Sequence, residues 1–312
     1  MNTALGLAAL LPLALVLWTR LQWRRAERTV PPVGAFCPVE GGVIHFVEKG
    51  PLDAPVVVLI HGLAGQLQHM TYAMADDLAQ DFRVVALDRP GCGYSRRDHD
   101  RLASLEEQAR MIWQFLDAQG IKNPVLAGHS LGGALSLMMA LQRPEAVRAL
   151  VLIAPATHSL SEAPEVFKGL QLRKPFTRRL MGHSIAVPSY AMMRKLILRE
   201  VFSPEPWPED FMTRGGAILG YRPPAFVASS ADMAMMEAAM PRLQERYGSE
   251  PLPAGGILFG AEDSLLLPEL HGKSMEPYGM GCELLQGRGH MLPITAAREC
   301  CDFVRKVAAF GG

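Results

Sequence analysis

A serine with glycine two residues away on either side, Gly128-His129-Ser130-Leu131-Gly132, stands between a strand-like run and a helix-like run. Pro124-Val125-Leu126-Ala127 has the length and apolarity of a short buried strand. Leu131 to Leu141 is an Ala/Leu/Met stretch of helical character. A chain that turns from strand into helix this abruptly strains the residue at the corner, and the flanking glycines leave room for the bend. The serine hydroxyl then stands out from the sheet edge. The amide of Leu131 points into the same space from the helix N-terminus, where unpaired N–H groups collect.

Two more segments end strands in the same way. Val56-Val57-Val58-Leu59-Ile60 is a β-branched run closed by His61-Gly62-Leu63-Ala64-Gly65. A glycine-rich loop in that place can turn a backbone amide, that of Leu63, toward a developing oxyanion. A serine hydroxyl also needs a base, and the base needs an orienting acid. His290 follows the strand-like Cys282-Glu283-Leu284-Leu285, and Asp263 follows Gly256-Ile257-Leu258-Phe259. Both lie at C-terminal strand ends, where open α/β sheets collect ligands and chemistry. Glu262 is the competing acid, read as a solvated loop carboxylate. Asp88 and Arg89 read as organisers of their own turn.

Five ordered motifs carry a resemblance: His61 to Gly65, Asp88-Arg89-Pro90-Gly91-Cys92-Gly93-Tyr94-Ser95, Gly128 to Gly133, Gly260 to Asp263, and Gly289-His290. Over about residues 35 to 310 the chain resembles the α/β-hydrolase superfamily, in a serine esterase- and lipase-like branch. Its motifs are shared with epoxide hydrolases and haloalkane dehalogenases. The resemblance implies Ser130 as nucleophile, His290 as base, Asp263 as its orienter, and Leu63 and Leu131 as oxyanion donors. His61, Gly62, His129 and Met291 are expected beside the substrate, although His129 also reads as a packing residue. Dehalogenases and epoxide hydrolases need a carboxylate where this chain has Ser130, so their chemistry is disfavoured. The expected function is hydrolysis of carboxylic esters, with apolar acyl or lipid-like substrates. Hydrolysis of a carbon–carbon bond in a ring-cleavage product and a non-catalytic accessory role are the alternatives.

The expected fold is α/β: a mostly parallel eight-stranded sheet with helices on both faces, a helical cap after strand 6, and an N-terminal apolar helix. The 312 residues, 49% hydrophobic and 20% charged, suffice for a large core. The expected divisions are 1–25 anchor and basic flank, 26–39 linker, 40–156 and 250–312 core, and 157–249 cap. Across 157–249 the strand–helix alternation lapses at repeated prolines, and the resemblance implies a cap there. Its methionines, among them Met192, Met193, Met233 and Met236, read equally as lining of an apolar pocket and as ordinary packing of cap on core. A formal net charge of zero gives no reason to expect a nucleic-acid partner. The nine histidines show no paired ligand spacing and there is no dinucleotide motif, so neither metal nor cofactor is expected. Ala4 to Trp18 is almost wholly apolar and Arg20, Arg24 and Arg25 follow. This predicts a single membrane-spanning anchor, with the catalytic domain on the cytoplasmic side by the positive-inside rule. Secretion to the periplasm or beyond after signal cleavage, and a helix of the soluble domain, are the alternatives.

Overall fold

The β-branched runs form strands because their side chains are apolar on both sides. Val57 and Leu59 enter one core, and Val58 and Ile60 enter the other, across the sheet. A computed structural model of the chain describes the backbone of residues 2–160 and 162–310, and the side chains of 13–160 and 162–309. The strands are β1 (Ala35–Val39), β2 (Gly42–Lys49), β3 (Val56–Ile60), β4 (Arg83–Leu87), β5 (Arg96–Arg97), β6 (Val125–His129), β7 (Ala149–Ile153), β8 (Gly255–Gly260) and β9 (Gly281–Leu285). Their order is β1-β2-β4-β3-β6-β7-β8-β9, with β5 paired to β2. Pairings among β1, β2, β4 and β5 that involve β2 are antiparallel, and the rest are parallel. The ninth strand beyond the expected eight is the two-residue β5. Without it the helical insert follows the sixth strand, as the sequence suggests.

Helix α1 spans Asn2–Thr29, and the helices α2 (Leu105–Ala118) and α3 (Leu131–Gln142) cover one face of the sheet. Between β7 and β8 lie α4 (Pro175–His183), α5 (Ala186–Phe202) and α6 (Pro223–Arg246). The opposite face is covered by the C-terminal helix α7 (Ala297–Phe310) through Cys300, Cys301, Phe303, Val304 and Val307, with Met70, Met74 and Leu78 beside it. The parallel register pairs Ile60 with Gly128, His129 with Ile153, and Gly260 with Leu285. The loops after β3, β6, β8 and β9 therefore leave the sheet along one edge, where the candidate residues gather.

The expected membrane anchor is overturned. Among the described residues no helix is long and apolar enough to cross a membrane. The N-terminal helix runs on through Arg20, Arg24, Arg25, Glu27 and Arg28, and these charges break the apolar run. The side chains of residues 1–12, part of the predicted anchor, lie outside the described ones. One side of the rest of α1 packs on the insert, while Leu13, Leu17 and Leu21 stay exposed. Trp18, Ala26 and Val30 meet Val187, Ile218 and Tyr221. The Thr19 hydroxyl donates to the Ser184 carbonyl at 3.3 Å, and Arg222 pairs with Glu27 at 3.1 Å. The membrane placement and the compartment drawn from the anchor fall with it. Residues 26–39, expected to be a linker, hold the last turn of α1 and the edge strand β1.

Candidate active site

Ser130 lies between β6 and α3 with φ 54° and ψ −120°, a left-handed conformation that costs a non-glycine residue about 1–3 kcal/mol. Its neighbours show why glycine is needed around it. A Cβ on Gly128 would lie 2.3 Å from the Gly132 carbonyl oxygen, and one on Gly132 would lie 2.2 Å from that of Ile60. The loop after β3 comes equally close, since a Cβ on Gly62 would meet that of Ser130 at 2.9 Å.

His290 and Asp263 come from the loops after β9 and β8. The imidazole Nδ1 of His290 donates to Asp263 Oδ2 at 2.7 Å, with both side chains buried. The other carboxylate oxygen of Asp263 accepts the amides of Leu265 and Leu266 at 2.9 and 3.0 Å. Glu262 faces solvent. Among the described residues nothing hydrogen-bonds the Ser130 hydroxyl, and the Leu63 and Leu131 amides find no acceptor. A position N1 amide such as that of Leu131 has no partner within its own helix.

Two cavities meet at this point. The larger, about 460 Å3, reaches Ser130, Leu131 and His290 and is walled by Met233, Met236 and Met240 of α6. Polar groups such as Glu162, Gln171 and Arg173 border it as well. The smaller, about 180 Å3, shares Ser130, Leu63, His290 and Phe167 with the first. Its remaining wall is mainly apolar and includes Leu198, Val201, Phe211 and Phe226. Of the polar side chains there, Tyr190 Oη donates to the Ala217 carbonyl at 3.0 Å and Ser229 Oγ to that of Ala225 at 2.8 Å, whereas His129 Nδ1 is buried without a partner among the described residues. Among those residues no lysine or arginine lines this cavity. Of the expected pocket methionines, Met192 and Met193 instead face solvent, at 85% and 48% exposure, because they lie on the outer side of α5.

The remaining candidates separate. Gly62, His129 and Met291 border the smaller cavity. His61 reaches neither cavity. It is fully buried, its Nδ1 donating to the Gly62 carbonyl at 2.8 Å and its Nε2 accepting the Arg89 amide at 3.0 Å, so it pins the loop rather than a substrate. His129 Nε2 donates to the His290 backbone carbonyl at 3.0 Å, which fastens the loop that carries the imidazole. Among the described residues no group of three or more His, Cys, Asp or Glu side chains could hold a metal ion.

A family model described as alpha/beta hydrolase fold matches residues 55–192. An α/β-hydrolase-fold protein from Burkholderia ambifaria superposes with a TM-score of 0.72 at 21% identity, over 88% of this chain and 97% of that one. The enol-lactonase from Burkholderia xenovorans gives 0.71 at 18% identity, over 88% and 99%. The chain has the α/β-hydrolase fold. Among curated relatives, the dihydrolipoyllysine-residue acetyltransferase component of the acetoin cleaving system of Cupriavidus necator is 35% identical over 122 residues, 38% of this chain and 31% of that protein. The match thus spans about a third of the length of the first such relatives.

Within this α/β-hydrolase fold, sequence reasoning missed Phe167, which borders both cavities, and Asp232, a buried acid on α6. Asp232 carried a signal: one carboxylate inside Ala231-Asp232-Met233-Ala234-Met235, an apolar stretch where an acid must find a cation or stay out of the core. Phe167 carried none, since an aromatic between prolines reads as ordinary packing.

Burial also holds several histidines neutral. It pulls His69 and His271 down to about 4, and lowers His61 and His129 well below the usual imidazole value, helped for His61 by the Arg89 charge. Unfolding frees each to bind a proton near pH 6.5, so the unfolded state holds more protons between about pH 6.5 and 4. Their stabilisation is complete above pH 6.5 and is lost as pH falls through that window. Each such histidine contributes a slope of up to about 1.4 kcal/mol per pH unit. Urea melts between pH 7.5 and 5, above the carboxylate range, are expected to show declining stability, with a shallower decline in His271→Gln. Flat stability down to pH 5 would contradict this.

Proposed function

We propose that the protein is a serine hydrolase that cleaves carboxylic esters of small molecules. The observation that carries the reading is the meeting at one cavity of the strained Ser130 and an imidazole already held by a buried carboxylate. In this reading Ser130 Oγ attacks the ester carbonyl while His290 Nε2 takes its proton. Asp263 keeps the imidazole in the tautomer that can accept it and stabilises the imidazolium. The former carbonyl oxygen, now negative, receives the two unpaired amides of Leu63 and Leu131. Collapse of the tetrahedral species breaks the carbon–oxygen bond, and His290 returns the proton to the departing alkoxide. Water, deprotonated by the same imidazole, then releases the acid and restores Ser130.

The smaller cavity supports an apolar arm of limited size. An apolar cavity of about 150 Å3 takes up benzene, so the 180 Å3 cavity suits a group of about six to eight non-hydrogen atoms. A carboxylate placed there would lose its water and meet no cation, since no lysine or arginine among the described residues lines the cavity and burial keeps His69 and His129 neutral. The helical segment 157–249, as the cap over this site, would set the limits.

The test is covalent. A fluorophosphonate is expected to phosphonylate the protein stoichiometrically, with the added mass on the peptide containing Ser130. Neutral esters with a compact apolar arm should turn over, and a carboxylate at the end of that arm should lower kcat/KM by at least about 100-fold. Modification of another residue, or no reaction with either probe, ends the proposal.

A further inference from the structure

The guanidinium of Arg89 is fully buried, and the reading of Ser130 as nucleophile leaves it without a role. Its Nη1 donates to Asp232 Oδ2 at 2.9 Å and to Gln108 Oε1 at 2.8 Å. Its Nη2 donates to the carbonyl oxygen of Gly62 at 3.2 Å. That oxygen also receives His61 Nδ1 at 2.8 Å and the Gly65 amide at 3.3 Å. Asp232 in turn holds Arg97, whose Nη1 lies 2.5 Å from Oδ1.

The Gly62 carbonyl and the Leu63 amide belong to one peptide unit. That unit is trans, the one cis bond among the described residues being Ser203–Pro204. In a trans peptide the C=O and N–H point in opposite directions in one plane. Three donors grasping the oxygen therefore fix where the Leu63 N–H points, and that N–H has no acceptor among the described residues. A cation on the oxygen side also polarises the unit, strengthening the N–H as a donor.

We propose that Arg89, seated by Asp232, is a positioning residue that orients and polarises the Gly62–Leu63 peptide so that its N–H meets the oxyanion. This rests on the serine-hydrolase reading of the site. Asp232 belongs to α6, the same helix whose Met233, Met236 and Met240 wall the larger cavity. The insert thereby does more than cover the serine. It supplies the counter-charge without which Arg89 would be a buried, half-paired cation, and the oxyanion donor is held in place only while Asp232 of α6 meets Arg89.

The experiment compares Arg89→Lys and Asp232→Asn with Arg178→Lys. Arg178 is an equally buried cation of the insert that binds Asp100, Leu172 and Ser230 and touches nothing near Gly62. A lysine at 89 keeps the charge but cannot span Asp232 and Gly62 together. Both test variants are expected to lose about 100-fold in kcat with KM changed less than two-fold, the loss typical of an impaired oxyanion donor. The Kd of a boronic acid that forms a tetrahedral adduct on Ser130 should rise by a similar factor. Arg178→Lys should lose melting temperature yet keep its kcat. A folded Arg89→Lys or Asp232→Asn protein within three-fold of wild-type kcat overturns the inference, as does an equal kcat loss in Arg178→Lys. A boronate adduct of the unaltered protein decides the matter even if the variants do not fold. The Leu63 nitrogen should stand about 2.7–3.1 Å from a boronate oxygen, with Arg89 still on Gly62, and any other arrangement refutes the proposal. An adduct on Ser130 with Leu63 turned away defeats only this inference. Failure of the unaltered protein to form any adduct defeats the hydrolase reading beneath it.

Discussion

Ser130→Ala is expected to lower kcat toward ester substrates by about a million-fold while leaving KM and folding almost unchanged. The size follows from the division of labour in the site. In the proposed mechanism, removing the hydroxyl ends the acyl-enzyme route, so that what His290 and Asp263 would do for Ser130 is lost with it. About 1,000-fold acceleration over water should survive, because the Leu63 and Leu131 amides and the cavities still bind and polarise the carbonyl. Alanine also fits the backbone. Ala64 and Ala154 adopt φ of 52° and 41° elsewhere in this protein, close to the 54° of Ser130. The change deletes one oxygen and adds no bulk, so thermal melting should move little. Steady-state kinetics and fluorophosphonate labelling on the purified variant check both halves. More than about 1% residual activity would assign the nucleophile elsewhere, since single triad deletions leave far less.

Much of the scaffold was legible because its signals are local. Val56 to Ile60 announces a strand by composition, and Gly128 and Gly132 announce a tight turn by the backbone contacts that a Cβ would violate. The order of Ser130, Asp263 and His290 then follows from strand ends in a parallel sheet. What escaped were contacts between distant segments. Asp232 meets Arg89 across 143 positions, and Arg178 meets Asp100 across 78. No periodicity reports such a pairing. The N-terminal helix misled for a related reason. Its apolar run resembles a spanning segment in isolation, but its length includes five charged residues, and Trp18, Ala26 and Val30 bury themselves on the insert instead of in lipid. His61 shows the same limit at close range. Its place beside a glycine loop suggested a substrate contact, yet both ring nitrogens are taken by the backbone.

Asp263→Asn is expected to cost about 10,000-fold in kcat near neutral pH without raising KM, because it puts the imidazole proton on the wrong nitrogen. The surroundings of Asp263 determine how the new amide must sit. Leu265 and Leu266 both aim N–H groups at Oδ1, and only an oxygen can accept them. The asparagine is therefore held with its oxygen on that side and its NH2 toward His290. An NH2 group cannot accept the Nδ1 proton and instead donates to a bare Nδ1, so the hydrogen moves to Nε2. A protonated Nε2 has no lone pair for the Ser130 proton, and the base is disabled with its geometry intact. Exposed Glu262, next in sequence, gives the control: Glu262→Gln should stay within two-fold of the unaltered enzyme. The rate of fluorophosphonate labelling should fall in parallel with kcat in Asp263→Asn, since both reactions use the same activated hydroxyl. If Asp263→Asn keeps more than a tenth of the activity while Glu262→Gln loses it, the acid is the wrong one of the two, and the hydrogen bond at 2.7 Å between Asp263 and His290 would have only a structural part.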